Sequence, residues 1–494
     1  MNGRAGPCPI RFGTDGWRAV IAQDFTFANV ERVAQAYAVY ILSRERERLN
    51  QATPNGSITP PPLVIVGYDR RFLSERFAES ASEILAGNGL RAALFDEPVP
   101  TPLVSWAVRE LKAVGGVVIT ASHNPPDFNG FKIKAAWGGS AAPEMTSVVE
   151  SLVDREPPRR AAEATALDAR AMLESALASY RTHVAHYIEM ERVLALPARV
   201  IIDPMHGAGG RWVESLLGQQ ASSVKSPLEA ETIRAGRDPL FGGVNPEPID
   251  HNLAALKDRV KETGAIIGLA TDGDADRLGA VNERGETMTM HEVVPLLLLH
   301  LARQRGMTGG VVRTFSQSVL TRRIAAAHNL PLYDTPIGFK YIADLMMRRD
   351  ILLGGEESGG IGIKGHLPER DGLLNSLLLL EAVAASGRTP SEMVRDMHRE
   401  FGEFYFRRHD IHMEVGRGQS LVSALASAPP ARIAGHTVRD VETLDGTKLL
   451  FDDESWLLFR QSGTEPVLRI YAEATSISKT WTLLDEGQRL ATAT

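Results

Sequence analysis

Three aspartates stand at alternate positions of one loop. Thr271-Asp-Gly-Asp-Ala-Asp-Arg277 places Asp272, Asp274 and Asp276 directly after the apolar run Ala265 to Ala270. Three carboxylates so close repel one another unless a cation neutralises them. All-oxygen ligation suits Mg2+, Mn2+ or Ca2+ rather than zinc. A solvated acidic turn is the usual fate of two nearby acids but accounts poorly for three after a buried strand. An EF-hand loop would put Glu283 at its twelfth position, but Arg277 occupies the sixth, where the sharp turn needs glycine. The preceding segment also reads as strand, not helix.

A strand followed by Asp-x-Asp also opens the phosphotransferases of the haloacid dehalogenase type, in which Asp272 itself would take a phosphate. That motif normally sits on a domain's first strand, and Ala275-Asp276 replaces the usual x-Thr or x-Val.

A second loop, Thr120 to Lys132 (TASHNPPDFNGFK), holds Ser122, His123 and Lys132. Its Pro and Asn content predicts a tight, exposed turn after a strand. It lacks the GxSxG pattern of a hydrolase nucleophile elbow. On its own it is equally a polar turn whose Ser and Asn cap backbone groups. Beside three aspartates, however, a phosphorylated serine has a purpose. A phosphoserine carries roughly −1.5 to −2 charge and acceptor oxygens that complete a magnesium site. The metal then withdraws charge from the phosphoryl group as it transfers.

The elements that must position these loops alternate. Leu63 to Tyr68 reads as a strand, Phe72 to Ala86 as a helix, Ala92 to Phe95 as a strand, Leu103 to Leu111 as a helix, and Val117 to Thr120 as a strand entering the serine loop. The rhythm returns with Val200 to Ile202, a helix after Gly210, a helix near Ile249 to Glu262 and the strand before the acidic loop. It returns again with Val311 to Thr314, a helix from Ser318 to Ala327, the strand ILLG meeting GEESGG, and a helix from Leu373. Such alternation predicts α/β layers. The last stretch has strands and a closing helix, predicting a smaller α+β domain. Expected domains are 1–150, 151–285, 286–400 and 401–494. Asn50 to Pro62 and Arg155 to Ala162 read as surface loops. Ligands of open α/β sheets bind beyond the carboxyl ends of strands, so four such loops are expected to meet in a central cleft.

The bulk numbers fit. The 494 residues exceed one compact core. A net charge of -7 and a pI of about 6.1 argue against nucleic acid or anionic membrane as partner. The single cysteine, Cys8, excludes an internal disulfide and fits a reducing compartment. There is no signal-peptide core near the start, and the apolar run Val293 to Leu299 is too short to span a bilayer. A cytoplasmic location is expected.

TASHNP, DGDADR, GEESGG and RQSGTEP, in this order and with FGTDGWR near the start, resemble the α-D-phosphohexomutases, the phosphoglucomutases, phosphomannomutases and their relatives. The resemblance covers essentially the whole chain. It implies three related α/β domains with mixed sheets and a C-terminal α+β domain like the TATA-binding protein, around the cleft. It implies reversible phosphate transfer between C1 and C6 of a hexose, one Mg2+ per chain, and a 1,6-bisphosphate intermediate and activator. By the resemblance, Ser122 is the phosphoserine and, with Asp272, Asp274 and Asp276, a metal ligand. Arg277 contacts the transferring phosphate. Arg18, His123 and Lys132 surround it and assist proton transfer. Glu356 and Ser358 hold sugar hydroxyls, while Glu357 points elsewhere. Arg460, Ser462, Gly463 and Thr464 bind the distal phosphate, supported by Arg469. Lys340, in TPIGFKY, adds a positive contact, unless it is only a helix-end cation. The expected partner is a hexose phosphate, bound by a monomer or homodimer.

Glucose and mannose differ only at C2, which Glu356 and Ser358 do not read in the family. Dual-specificity members often carry histidine after the loop's Ser-Gly, where this chain has Gly360. The wording of GEESGG, TPIGFKY and TASHNP is closer to phosphoglucomutases. Glucose 1-phosphate, glucose 6-phosphate and glucose 1,6-bisphosphate are the expected ligands, with mannose the alternative and glucosamine further off.

Overall fold

The computed structural model describes residues 9–13, 15–52, 60–161, 169–221, 226–462 and 466–493. Cys8, Gly463 and Thr464 lie outside these residues. The chain divides into two compact units, Met1–Thr287 with Gly365–Ala384, and Met288–Lys364 with Ala385–Thr494.

The first unit holds two mixed sheets built to one plan. In the first, Leu63–Tyr68 is flanked by parallel neighbours Arg91–Leu94 and Gly115–Ile119, and Phe128–Ala135 runs antiparallel beside Gly115–Ile119. In the second, Arg199–Asp203 is flanked by parallel Glu229–Thr232 and Ile267–Thr271, and Leu278–Asn282 returns antiparallel. The second unit repeats the plan with Gly310–Thr314, Leu332–Thr335, Ile351–Gly355 and the antiparallel Ile361–Ile363. Numbering the four shared strands of each sheet in chain order, their spatial order is second, first, third, fourth in all three, and in the first sheet Trp17–Val20 adds an edge beside the fourth. The serine, acidic and GEESGG loops each join the third strand to the antiparallel fourth. Repetition at the level of topology thus explains why primary repeats are faint: the position of the turn recurs, and its residues do not.

Burial follows the alternation. In the first sheet Val64, Val66 and Tyr68 enter a core with Phe25, Val30, Phe77 and Ile84. Those partners come from Phe27–Ala52 and Ser74–Gly87 and the turn before them. The opposite face meets Thr101–Glu110, where a Cβ on Gly116 would lie 2.7 Å from Val108 Cγ2. The 26-residue helix Phe27–Ala52 was not anticipated, and it carries Asn50 to Ala52, expected in a loop. It is amphipathic, and the local signal at its start is Thr26, whose Oγ1 accepts from Asn29 N at 3.3 Å. Arg155 to Ala161 form neither helix nor strand.

The C-terminal part of the second unit is a six-stranded sheet, whose long strands Tyr405–His412, Val467–Ala474, Trp456–Gln461 and Thr447–Phe451 are successive antiparallel neighbours. Leu457, Phe459, Ile470, Leu483 and Leu484 form its core with the helix Ile477–Ala493. The architecture is α/β with four domains, as expected. No helix among the described residues is long and apolar enough to cross a membrane.

Candidate active site

The serine loop is shaped from below by one arginine. Arg71, wholly buried, donates from Nη2 to the carbonyls of Ser122 and Asn124, each at 2.6 Å. Its Nη1 donates to Pro125 O at 2.7 Å and Phe128 O at 3.0 Å. Asp69 pairs with Arg71 at 3.2 Å and accepts from Thr120 Oγ1 at 2.6 Å, and Thr120 Oγ1 in turn accepts from Ser122 N at 2.9 Å. This scaffold holds Ser122 at φ 53°, a left-handed conformation that costs a non-glycine residue energy. The expected exposed turn is instead buried at Ser122, because the acidic loop covers it. Ser122 Oγ donates to Asp272 Oδ2 at 2.8 Å, and His123 Nδ1 lies 3.4 Å from the same hydroxyl. Burial, then the charges of Arg277, Arg18, Lys132 and Arg71, hold His123 well below the usual histidine range, so its imidazole is neutral. Arg18 donates to Asn124 Oδ1 at 2.5 Å across the same loop.

All three aspartates are buried, and one carboxylate oxygen from each lies within 4.8 Å of the others. Asp272 Oδ1 accepts from the backbone of Asp276 and Arg277 at 3.0 and 3.1 Å. Burial, then the charges of Asp274 and Asp276, push its carboxyl well above the normal range. Asp274 Oδ2 accepts from Thr101 Oγ1 at 2.6 Å and Lys132 Nζ at 2.8 Å. Burial would raise the Asp274 carboxyl, but Lys132 and these bonds outweigh it and keep it ionised. Asp276 Oδ2 pairs with Lys132 at 3.2 Å and Arg370 at 3.0 Å. Asp274 Oδ1 and Asp276 Oδ1 are buried with no hydrogen-bond donor among the described residues. Buried carboxylate oxygens without donors are costly, and a hard divalent cation satisfies them. The residues therefore fit a magnesium ion.

Topology removes two competing readings of this loop. Asp272 follows the third strand of its repeat, not the first. Residues Leu278–Asn282 form a strand, so Glu283 closes no EF-hand loop. A glycine-rich turn supports the acidic loop from the first-strand side: Ala208 N donates to Gly273 O at 2.9 Å, and a Cβ on Gly207 would lie 2.7 Å from that oxygen.

Sequence reasoning missed a charged layer beside the triad. Lys132 and Lys134, two apart on Phe128–Ala135, are both buried. Lys132 pairs with Asp15 at 2.9 Å, and Lys134 with Glu369 at 2.8 Å. Arg370 bridges Asp15 at 2.5 Å and Asp276. The available signal was the run Glu369-Arg370-Asp371 placed directly before an apolar helix, Gly372–Ser386. Arg277 is 9% exposed, with Nη1 3.7 Å from Glu247 Oε1.

The second unit carries the other predicted residues. Glu356 is buried and its N–H donates to Gly360 O at 2.9 Å, closing the GEESGG turn, while Ser358 is half-buried. Glu357 points elsewhere, accepting from Ser316 Oγ at 2.6 Å. Arg460 and Arg469 stand directly opposite on neighbouring antiparallel strands. Like charges in that register are destabilising, and carboxylates offset them in part, Asp445 lying 3.0 Å from Arg460 Nε and Asp410 3.9 Å from Arg469 Nε. Ser462 is buried and donates its N–H to Val467 O at 2.9 Å. Lys340 sits in the first turn of Phe339–Arg348, its Nζ 5.0 Å from the Tyr341 ring centroid. A cation at a helix N-terminus opposes the dipole, so capping does not account for it.

Comparison with known proteins agrees along the chain. Profiles of the phosphoglucomutase/phosphomannomutase alpha/beta/alpha domains I, II and III match residues 9–160, 178–285 and 290–401, and that of the C-terminal domain matches 421–486. A phosphoglucomutase/phosphomannomutase of Thermococcus kodakarensis is 30% identical over 97% of this chain and 98% of its own. A phosphoglucosamine mutase of Moorella thermoacetica is also 30% identical, over 97% and 98%. The crystal structure of a putative phosphomannomutase from Thermus thermophilus is 37% identical, with a TM-score of 0.83 over 98% of this chain and all of that one.

Proposed function

The chain belongs to the phosphoglucomutase/phosphomannomutase family of phosphohexomutases, and on that premise we propose that it interconverts glucose 1-phosphate and glucose 6-phosphate through a phosphoserine at Ser122. The observation that carries this reading is the Ser122 hydroxyl bonded to Asp272 beside two carboxylates with unsatisfied oxygens.

In this reading the phosphate on Ser122 passes to O6 of glucose 1-phosphate. The P–Oγ bond breaks, the P–O6 bond forms, and neutral His123 takes the O6 proton and returns it to Ser122 Oγ. The resulting glucose 1,6-bisphosphate presents its other end. The P–O1 bond then breaks as the P–Oγ bond reforms, and the Ser122 proton passes through His123 to O1. Mg2+ held by the three aspartates and the phosphoserine supplies charge withdrawal when bound. Lys132, Arg18 and Arg277 balance the charge of the phosphoryl oxygens. Arg460, Ser462, Gly463, Thr464 and Arg469 are assigned to the non-reacting phosphate, with Lys340 in support. Anchoring that end makes the transfer effectively intramolecular, which supplies roughly 7–11 kcal/mol. Glu356 and Ser358 accept sugar hydroxyls.

The relatives carry glucose, mannose and glucosamine names, so they do not choose among sugars. The GEESGG wording and Gly360 support glucose, with mannose or dual specificity as the second reading. The test compares kcat/KM for glucose, mannose and glucosamine 1-phosphates. Glucose should lead by more than about tenfold, roughly 1.4 kcal/mol. A glucose-to-mannose ratio near one identifies a dual enzyme and sinks the glucose reading.

A further inference from the structure

Asp445 stands in the turn between His436–Glu442 and Thr447–Phe451. As part of Asp-Gly it could be there for turn geometry alone. A turn, however, does not use the carboxylate outward. Asp445 Oδ2 accepts from Arg460 Nε at 3.0 Å and from Ile337 N at 2.8 Å, partners 15 and 108 positions away. Gly446, at φ 99°, lets the turn approach closely: a Cβ there would lie 3.2 Å from Arg460 Cβ.

The two bonds have different consequences. The Nε contact fixes the guanidinium plane and leaves the Nη1–Nη2 edge, which is the edge that forks two oxygens of one anion. The Ile337 contact fixes the backbone immediately before Phe339–Arg348, the helix whose first turn carries Lys340. Neighbouring contacts keep the same frame rigid. Lys448 Nζ donates to Phe315 O at 2.8 Å, and Glu473 accepts from Ser318 Oγ and Val319 N at 2.5 and 2.9 Å. Phe315 follows the strand Gly310–Thr314, and Ile337 follows Leu332–Thr335. The C-terminal sheet thus grips the carboxyl ends of two parallel strands, the end where α/β sheets hold ligands.

We infer that Asp445 is a positioning residue for the distal phosphate: one carboxylate orients Arg460 and ties it to the loop that presents Lys340. The inference rests on the reading of Arg460 as a ligand of that phosphate.

Asp445→Ala, Asp445→Asn, Arg460→Ala and the Asp445→Ala/Arg460→Ala double variant are compared by steady-state kinetics with glucose 1-phosphate and by competitive inhibition with inorganic phosphate. Arg460→Ala should raise KM by roughly 30-fold, and Asp445→Ala by roughly 10-fold with kcat within about threefold. Phosphate inhibition should weaken in parallel. Asp445→Asn keeps one acceptor oxygen and should recover most of the loss. The double variant should be no worse than Arg460→Ala by more than about twofold, because the two act as a unit. If Arg460→Ala raises KM while Asp445→Ala does not, or if the double variant is additive, the positioning role is overturned and the phosphate reading stands. If Arg460→Ala leaves KM unchanged, the phosphate reading itself falls. Should Asp445→Ala fold poorly, Asp445→Ser takes its place with the same expected rise in KM, and an unchanged KM in that variant overturns the role.

Discussion

Ser122 Oγ and Asp272 Oδ2, 150 positions apart in sequence, meet at 2.8 Å. That contact places a hydroxyl at the edge of three carboxylates, where a phosphoserine would complete the proposed metal site. Intact-mass analysis of the purified protein should show a fraction carrying one phosphate, absent from Ser122→Ala. The same variant should lose roughly 10^4-fold or more in kcat. Phosphate mapped to Asp272 instead would refute the assignment.

Arg71 reaches four carbonyls of the serine loop with its two Nη groups. Lysine keeps the charge but is a single donor head and cannot span them. Arg71→Lys should therefore lower kcat by about 100-fold through misplacement of Ser122. Arg71→Met leaves Asp69 buried without its partner and should cost about 3–5 kcal/mol in urea unfolding. An Arg71→Lys enzyme with unchanged kcat would show that the loop holds its own shape.

The donor-free oxygens of Asp274 and Asp276 imply that a divalent cation stabilises the fold as well as the reaction. After chelation, Mg2+ at about 100 times its Kd should raise unfolding free energy by about 2.7 kcal/mol. Asp274→Asn should weaken this shift by more than about tenfold in Mg2+ concentration. A melting temperature indifferent to Mg2+ in the wild-type protein would argue against the site.

His291 predicts a pH dependence away from the reacting groups. It is buried, stacked on Phe406 with centroids 3.6 Å apart, and its Nε2 donates to Ser316 O at 2.8 Å, leaving Nδ1 without a partner among the described residues. Burial, reinforced by Lys448 and Arg313 and only partly opposed by the Ser316 bond, pushes its pKa down to about 3. The unfolded value is about 6.5, so between these limits the unfolded state binds the extra proton. Stability is therefore full above about pH 6.5 and falls by up to about 1.4 kcal/mol per unit as pH drops toward 3. His291→Phe should flatten the slope by close to one proton between pH 6 and 4, measured by denaturant unfolding. An unchanged slope would place the titration elsewhere.

Much of the fold was readable because buried strands here are short apolar runs ending in polar turns. Leu63 to Tyr68 matched its strand at both ends. The helix expected from Phe72 begins instead at Ser74, because Leu73 takes a left-handed φ of 61° under the Asp69 and Arg71 turn. The strand Phe128–Ala135 was hidden behind its own motif, although it carries Lys132. Arg71, Asp15, Glu369, Arg370 and Asp445 were not singled out, since each acts by contact with distant chain and none sits in a pattern of its own.

What the sequence determined by itself was the chemistry on offer: three alternating aspartates, a serine in a constrained turn, an Arg-x-Ser-Gly-Thr loop and their order. Those are local facts, set by residue type and spacing. Only tertiary structure decided which oxygens of Asp274 and Asp276 stay without donors, that Arg71 bends Ser122 into a left-handed turn, and that Asp445 holds Arg460. These depend on strand order and register, which bring side chains together across 15 to 173 positions of chain. Spacing along a chain cannot encode such pairs, because the same short motif folds to different neighbours in different sheets.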